Sequence, residues 1–223
     1  MSNRDVLCIF PEDITLLFLE PLRNKLKQNY KVLNVLANDE SHVKAIETIK
    51  TLPDGSTVIF IGHGASHCFY GACNDNYKRN SFINSSNFEV FRNKNLFALS
   101  CRSSEFLEAN KSILNNYLSF GNLPTDWDEI VAERDNGDPN YLRNINENEI
   151  SIFKKKLSSI VLSCLLNPEN IYDLITLYLN LKFHFNKEIA RLNLEEKSIN
   201  MRALVNLWYE TKIEMNYGSS KHP

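Results

Sequence analysis

The amino-acid sequence predicts an α/β fold in which a mostly parallel sheet is flanked by helices. Short apolar runs alternate with amphipathic stretches through about the first hundred residues, as strands joined by crossover helices do. Of the 223 residues, 43% are hydrophobic, which is enough to bury a sizeable core. After residue 143 the pattern changes to helical spacing alone. We therefore expect a core formed by residues 1–143 and a C-terminal helical extension, residues 144–223, packed on it.

The predicted elements of the core follow the chain in order. Each strand is a short, mostly apolar run, at residues 5–10, 30–36, 57–61 and 95–99. The amphipathic stretches predict helices at residues 11–28, 39–52 and 104–118, the first of them opened by Pro11. A turn is predicted at Pro53-Asp54-Gly55 and a long polar loop at residues 74–87.

The extension is predicted to be helical because apolar residues recur at intervals of three and four, as in Ile152, Phe153, Leu157 and Ile160. Three helices are expected there, at residues 150–166, 168–185 and 186–215. The last residues, 216–223, are expected to be loose.

Composition and charge narrow the classes of function. A formal net charge of −2 gives no general attraction to nucleic acid or to an acidic membrane surface. The amino terminus lacks the pattern of a secretory signal, and the most apolar later stretch is broken by polar residues. We therefore expect a cytoplasmic protein with no membrane and no direct nucleic-acid partner. In that compartment its five cysteines are expected to be free thiols.

Two motifs at the ends of predicted strands carry the candidate chemistry. In VIFIGHG, His63 follows a strand and is flanked by Gly62 and Gly64, which allow a sharp turn. In NLFALSC, Cys101 precedes a helix start and Arg102, both of which favour the nucleophilic thiolate. Either residue alone is compatible with a simple turn or a buried filler. Because the ends of parallel strands share one edge of a sheet, His63 and Cys101 are expected to be close.

Together the two motifs resemble the signature of the caspase-like cysteine peptidases. In that family an apolar strand ends in His-Gly, and a second apolar strand ends in a small residue followed by Cys; here these are IFIGHG and LFALSC. The stretch GHGASHCFYGA is also similar to the pattern of the bacterial CHAT peptidases. The resemblance covers roughly residues 5–135 and implies a three-layer caspase-like fold and a thiol protease activity without cofactor or metal.

The resemblance implies a role for each matching residue. Cys101 would attack the peptide carbonyl, and His63 would protonate the leaving amine and later assist water. The N–H groups of Gly64 and Cys101 would form the oxyanion hole. The family works with a His–Cys dyad, so no third member is assigned. The sequence LSCRS replaces the caspase motif Gln-Ala-Cys-x-Gly, and the His-to-Cys spacing is shorter than the usual ~50 residues. Both departures indicate a distant bacterial relative and argue against caspase-type specificity for aspartate.

Substrate recognition is expected in the segment at residues 119–134, where the family forms its S1 pocket. Trp127 would form a pocket wall, and Asp126 and Asp128, with Glu129, would favour a basic side chain. The alternative is a solvated acidic loop with Trp127 packed underneath. The resemblance further implies a protein substrate and an association with bacterial defence systems. Because a cytoplasmic protease must be controlled and the sequence shows no sensor domain, the helical extension is a candidate docking surface for a regulatory protein partner.

Two other classes of function stay open. His63, His67, Cys68 and Cys73 are all zinc-ligand types close together in sequence, although their spacing matches no finger or ribbon. The chain could instead be a non-catalytic α/β binding or scaffold module, although it has no Gly-rich phosphate loop.

Overall fold

The computed structural model describes residues 5–195 and 198–219. The strands in chain order are β1 (Val6–Pro11), β2 (Lys31–Val35), β3 (Thr57–Ile61), β4 (Gly64–Ala65), β5 (Cys68–Tyr70), β6 (Ser81–Asn84), β7 (Asn95–Leu99), β8 (Asn116–Ser119) and β9 (Asn216–Ser219). Six of them form one sheet in the order β2-β1-β3-β7-β8-β9. All neighbours in it are parallel except β8 and β9. The short strands β4, β5 and β6 form a separate antiparallel sheet.

Helices cover both faces of the main sheet, so the predicted α/β class is confirmed. They are α1 (Glu20–Leu26), α2 (Asp39–Lys50), α3 (Ser103–Ala109), α4 (Trp127–Asn136), α5 (Glu147–Leu165), α6 (Pro168–Tyr172), α7 (Leu174–Glu195) and α8 (Ile199–Ile213). One face packs against α1, α5, α7 and α8. The other packs against α2, α3 and the 3₁₀ turn Phe88–Phe91.

The central strands β3 and β7 are buried along their whole length. Ile59 and Ile61 face the layer that contains α5, whereas Val58 and Phe60 face the layer that contains α2. A strand that is covered on both faces has a continuous run of apolar residues in the sequence. This is why β3 and β7 could be predicted from the sequence. Their parallel register places Ile61 beside Leu99, so the segments that follow the two strands leave the sheet at the same level.

The chain order of the strands creates a crevice between β1 and β3. From β1 the chain moves outward to β2 and then returns past β1 to form β3 on its other side. Such a reversal is a topological switch point, where the connections after two neighbouring strands lead in opposite directions and leave space at the carboxyl edge. The segments after β1 and β3 therefore line one crevice.

The helix predicted over residues 11–28 is wrong in its first half. Strand β1 continues to Pro11, and Asp13 then accepts the Thr15 N–H as the cap of a 3₁₀ helix, Ile14–Leu19. The α-helix begins only at Glu20, with a proline in its first turn. Pro21 has no amide hydrogen, so an α-helix continuing through it would lose a backbone hydrogen bond.

The helix predicted over residues 104–118 ends at Ala109, and its last part is strand β8. Tyr117 and Leu118 are adjacent, yet both are buried, on opposite faces of the sheet. Residues 216–219 were expected to be loose, but they form β9, which pairs antiparallel with β8. Residues 220–223 lie outside the described part of the chain.

The boundaries of the C-terminal helices also differ from the prediction. The break expected near residue 185 is absent within the described α7, which continues to Glu195, whereas α6 and α7 are separated at Asp173. Helix α8 begins where the Ser198 side chain accepts the Met201 N–H; residues 196–197 are outside the described part. The loop predicted at 74–87 contains strand β6.

The C-terminal helices share one core with the sheet. The rings of Phe153 and Phe185, on α5 and α7, lie 4.8 and 5.2 Å from the Trp208 ring on α8. All three side chains belong to the cluster that also contains Ile59 and Phe97 of the central strands. No described helix is both long and apolar enough to cross a membrane.

Candidate active site

His63 and Cys101 follow neighbouring strands and lie in adjoining segments. His63 comes two residues after β3, and Cys101 comes two residues after β7. The Gly62 N–H donates to the Leu99 carbonyl, which extends the pairing of the two strands up to the site. The two segments then meet at Gly64: a Cβ atom there would overlap the Ser100 hydroxyl and lie 3.0 Å from the Cys101 carbonyl oxygen.

Glycine is therefore required at residue 64 because the Ser100–Cys101 segment lies so close to it, and not because its φ angle is unusual. Among the described glycines only Gly55 has a positive φ, so the sharp turn expected at the His-Gly motif does not need the left-handed conformation. Any side chain at residue 64 would push the two segments apart.

His63 is held by the segment that follows β1. Its Nε2 atom lies 2.7 Å from Thr15 Oγ1 and 3.5 Å from Asp13 Oδ2. The Thr15 hydroxyl also donates to Asp13 Oδ1 at 2.8 Å. The side chains of His63 and Asp13 are only 12% and 2% exposed, so these contacts are shielded from water.

Asp13 is an ionised carboxylate with several partners. Arg79 lies 2.9 Å from its Oδ2 atom, and the Cys73 thiol donates to the same oxygen at 3.0 Å. Burial alone would raise the pKa of Asp13, but the hydrogen bonds from Cys73 and Thr15, together with nearby His63, lower it to about 2. Arg79 also pairs with Glu129 at 3.1 Å, linking this cluster to α4.

Burial and the charge of Arg79 keep the imidazole neutral. Burial lowers the pKa of His63, and the charge of Arg79 lowers it further. Asp13, Glu129 and Asp126 act in the opposite direction without reversing the shift. His63 is thus an unprotonated base at neutral pH.

The direct hydrogen-bond partners of Cys101 are neutral groups in the segment after β8. Its thiol donates to Asn122 Oδ1 at 3.2 Å, and the Leu123 N–H donates to Sγ at 3.5 Å. Asn122 is fixed from both ends, because its side-chain amide donates to Tyr141 at 2.7 Å and its backbone N–H donates to Glu214 at 2.7 Å.

The resting cysteine is a thiol, contrary to the expectation from its position before a helix. Burial raises the pKa of Cys101, while the Leu123 N–H and Arg102 only partly oppose this. Helix α3 has seven residues, and the Arg102 guanidinium is turned to Glu105 at 2.9 Å. No hydrogen bond joins His63 to Cys101, both of which are in the described part of the chain.

Two backbone N–H groups at the site, those of Gly64 and Cys101, have no acceptor among the described residues. Tyr70 donates to the His63 carbonyl, so the next pair of the small sheet, Gly64 opposite Phe69, is a non-hydrogen-bonded pair. The Gly64 N–H therefore points away from β5. No backbone or side-chain acceptor among the described residues engages the Cys101 N–H.

Cys101 opens onto a cavity of about 660 Å³. Acidic residues from α3, from α4 and its cap, and from the segment before β9 line this cavity. They are Glu105, Asp126, Glu129, Glu133 and Glu214. Arg102 is the basic residue among the described lining residues, and it is paired with Glu105. The cavity is therefore strongly acidic.

The predicted substrate-binding residues occupy different positions. Asp126 lines the cavity, whereas Trp127 and Asp128 are not among the described lining residues. Trp127 packs against the core, with the Arg134 guanidinium 5.2 Å from its ring centre. Asp128 is exposed in the first turn of α4, and its N–H donates to Asp126.

The four zinc-ligand types noted in the sequence do not form one cluster. His67 is exposed in a turn, and Cys68 is buried in β5. Cys73 donates to Asp13, and His63 contacts Thr15. Across residues 5–195 and 198–219, no group of three or more His, Cys, Asp or Glu side chains is arranged to hold a metal ion.

Sequence reasoning missed the polar partners of both candidate residues. The signal for Asp13 and Thr15 was their place directly after β1, the strand beside β3 at the switch point. The segment that holds Asn122 was identified, but for its acidic residues and not for this amide. Nothing in the sequence pattern indicated Arg79 or Glu214.

No protein-family model matches the chain, and no curated protein is significantly similar to it. The chemistry of the site is therefore inferred from its own residues.

Proposed function

We propose that the protein is a cysteine peptidase in which Cys101 is the nucleophile and His63 is the general acid and base. One observation carries this proposal: the ends of β3 and β7 bring the Gly64 segment against Ser100 and Cys101, beside a cavity onto which Cys101 opens. A thiol and a neutral imidazole on adjoining segments, with two N–H groups that have no acceptor among the described residues, are the components of acyl transfer.

The reaction would begin from a neutral pair. His63 accepts the thiol proton as Cys101 Sγ bonds to the peptide carbonyl carbon, and the carbonyl oxygen becomes an oxyanion. The N–H groups of Gly64 and Cys101 are suited to stabilise that charge. His63 then gives its proton to the leaving amine. In the second half, His63 takes a proton from water, the hydroxide attacks the thioester, and the thiol leaves with the proton.

A basic residue is the substrate side chain that the cavity would favour. The acidic groups around Cys101 attract Lys or Arg and repel Asp or Glu, because like charges in a partly enclosed site are costly. Asp126 lines this cavity, which supports the substrate-binding role predicted for it. Trp127 and Asp128 do not line the cavity, so they would act only by shaping α4. The protein substrate, the regulatory partner and the link to bacterial defence stay predictions, and the cytoplasmic location stays a prediction from the sequence pattern.

A mechanism-based probe tests the peptidase proposal. Peptidyl acyloxymethyl ketones with Lys or Asp at P1 would be incubated with the native protein, and the labelled cysteine would be mapped by mass spectrometry. We expect the Lys probe to label Cys101, with labelling abolished in Cys101→Ala and strongly reduced in His63→Ala. Cys164→Ser, which alters a buried thiol on α5, is the matched control and should label like wild type.

A non-catalytic binding module is the alternative, and one observation favours it. The Cys101 thiol is bonded to Asn122 and shares no hydrogen bond with His63, both described residues. If Cys101 reacts no faster than Cys73 and His63→Ala leaves labelling unchanged, the peptidase proposal is rejected in favour of this alternative.

A further inference from the structure

A second polar cluster lies behind His63, on the side of the segment that follows β1. Thr15 contacts the His63 ring, and Asp13 contacts Thr15, Cys73 and Arg79. The cluster members Asp13, Thr15, Cys73 and Arg79 do not line the cavity at Cys101. None of them takes part in the proposed reaction steps.

The directions of the hydrogen bonds determine where the His63 proton lies. Asp13 is ionised and can only accept, so the single hydroxyl hydrogen of Thr15 is given to Asp13 Oδ1. Thr15 Oγ1 must then accept from His63, which places a hydrogen on Nε2. In a neutral imidazole this leaves Nδ1 as the unprotonated, basic nitrogen.

We propose that Thr15 and Asp13 are positioning residues that fix the His63 ring and hold its proton on Nε2, so that Nδ1 is the base. The catalytic consequence rests on the proposed function. The tautomer, in contrast, is a property of the resting protein and can be measured without a substrate.

Arg79 has a distinct part in this arrangement. A carboxylate next to an imidazole ordinarily favours the imidazolium, which is not a base. Burial disfavours a charged ring, and Arg79 adds to this because it neutralises Asp13 and repels a proton on His63, so the ring is oriented without being charged. The other charged groups that act on His63 are Glu129, which is paired with Arg79, and Asp126 at the start of α4.

Nitrogen NMR of the histidine rings tests the tautomer. The His63 resonances, assigned with His63→Ala, should show a protonated Nε2 and an unprotonated Nδ1 at pH 8. Thr15→Val keeps the size of the side chain but removes the hydroxyl, and we expect it to mix the two tautomers. Thr15→Ser restores the hydroxyl and should restore the Nε2–H form. A wild-type Nδ1–H form, or a Thr15→Val spectrum identical to wild type, would overturn the proposal.

The pKa of His63 gives a second test, because substitutions of Asp13 and Arg79 should shift it in opposite directions. Asp13→Asn removes a group that raises this pKa and should lower it; Arg79→Gln removes a group that lowers it and should raise it. Arg92→Gln, which alters an exposed arginine paired with Glu89, is the control and should leave it unchanged. Shifts of equal sign in the two cluster variants would contradict the arrangement. These variants also serve if Thr15→Val does not fold.

Turnover separates this inference from the proposed function. With a Lys-containing substrate, Thr15→Val should lose about 10- to 100-fold in kcat with little change in KM, because the ring is misplaced and not the substrate. Thr15→Ser should recover most of that loss. If the tautomer responds as expected while His63→Ala leaves probe labelling intact, the peptidase proposal fails and the positioning of His63 stands.

Discussion

The two sides of the candidate site control their protons in different ways. On the His63 side, a carboxylate and a guanidinium are in direct contact behind the ring, at 2.9 Å from each other. On the Cys101 side, the thiol is bonded to an amide oxygen and a backbone N–H, both neutral. The pKa of His63 therefore depends on a balance of nearby charges as well as on burial, whereas that of Cys101 depends mainly on burial.

This difference indicates which substitutions will tune each group. A single charge removed near His63 disturbs a compensated pair and should have a large effect. Several acidic residues surround the open cavity at Cys101, so removing the charge of one of them should change the pKa of Cys101 only slightly.

Gly64→Ala should have the largest effect because it separates the two sides. The added methyl group would overlap the Ser100 hydroxyl and press on the Cys101 carbonyl oxygen. We expect a loss of about 100-fold or more in the rate of probe labelling at Cys101.

Ser100→Ala is the matched control for that variant. It removes a buried hydroxyl that has no hydrogen-bond partner within the described structure, so it should be neutral or slightly stabilising. If Gly64→Ala labels at the wild-type rate, the close contact of the two segments has no role in reactivity.

Asp13→Asn should destabilise the protein in a pH-dependent way. The pKa of Asp13 is lowered from 3.8 to about 2 on folding, which corresponds to about 2 kcal/mol of stability at neutral pH. Because the folded pKa is the lower one, this stabilisation is present above about pH 4 and disappears as the pH falls to about 2. Asparagine can still cap the 3₁₀ helix, so the charge is the main change.

Urea denaturation of wild type and Asp13→Asn at pH 7, 5, 3 and 2 measures this difference. The two free energies of unfolding should converge on acidification. A difference that is constant across the series would mean that packing, and not the charge of Asp13, accounts for the loss.

Glu214→Gln should have the smallest effect. Glu214 is one of the groups that raise the pKa of Cys101, after burial and with Glu129. Glutamine can still accept the Asn122 N–H through its side-chain oxygen, so the geometry is kept. We expect the pH midpoint of Cys101 alkylation to fall by a few tenths of a unit, measured with iodoacetamide and mass spectrometry.

The control for this variant is Glu89→Gln, a remote exposed acid. It should leave the midpoint unchanged. A midpoint that rises in Glu214→Gln would show that the thiol responds to the geometry of Asn122 and not to charge.

The parts of the fold that were predictable are those encoded by local pattern. Strands β3 and β7 are covered on both faces, so each is a continuous apolar run. Such a run can be recognised without knowing which strands pair with it. Strand β8 was missed because Leu114, Tyr117 and Leu118 also have helical spacing. Only the two buried faces on either side of it distinguish the strand, and those depend on the packing of distant helices.

The candidate site was predictable to the same extent. His63 and Cys101 could be placed because each directly follows a recognisable strand. Thr15 could not be assigned to His63, since the pairing of β1 with β3 is not visible in either strand alone. The expectation of a thiolate at Cys101 was wrong for a related reason. The thiol is buried and contacts Asn122 and Leu123, and these contacts depend on the pairing of β7 with β8, which neither strand shows alone.

The contact between Glu214 and Asn122 has a consequence for the order of folding. It joins residues 92 apart in sequence, and it lies directly before β9, which closes the edge of the sheet. Such a contact forms late, because the entropy of a long loop must be lost before the contact is gained. The β1–β3–β7 centre can assemble first, with His63 and its neighbours already in place. We therefore expect the Asn122 contacts to be completed after α8 and β9 have docked, and we expect partial unfolding from that end to disrupt the Cys101 cavity while most of the sheet persists.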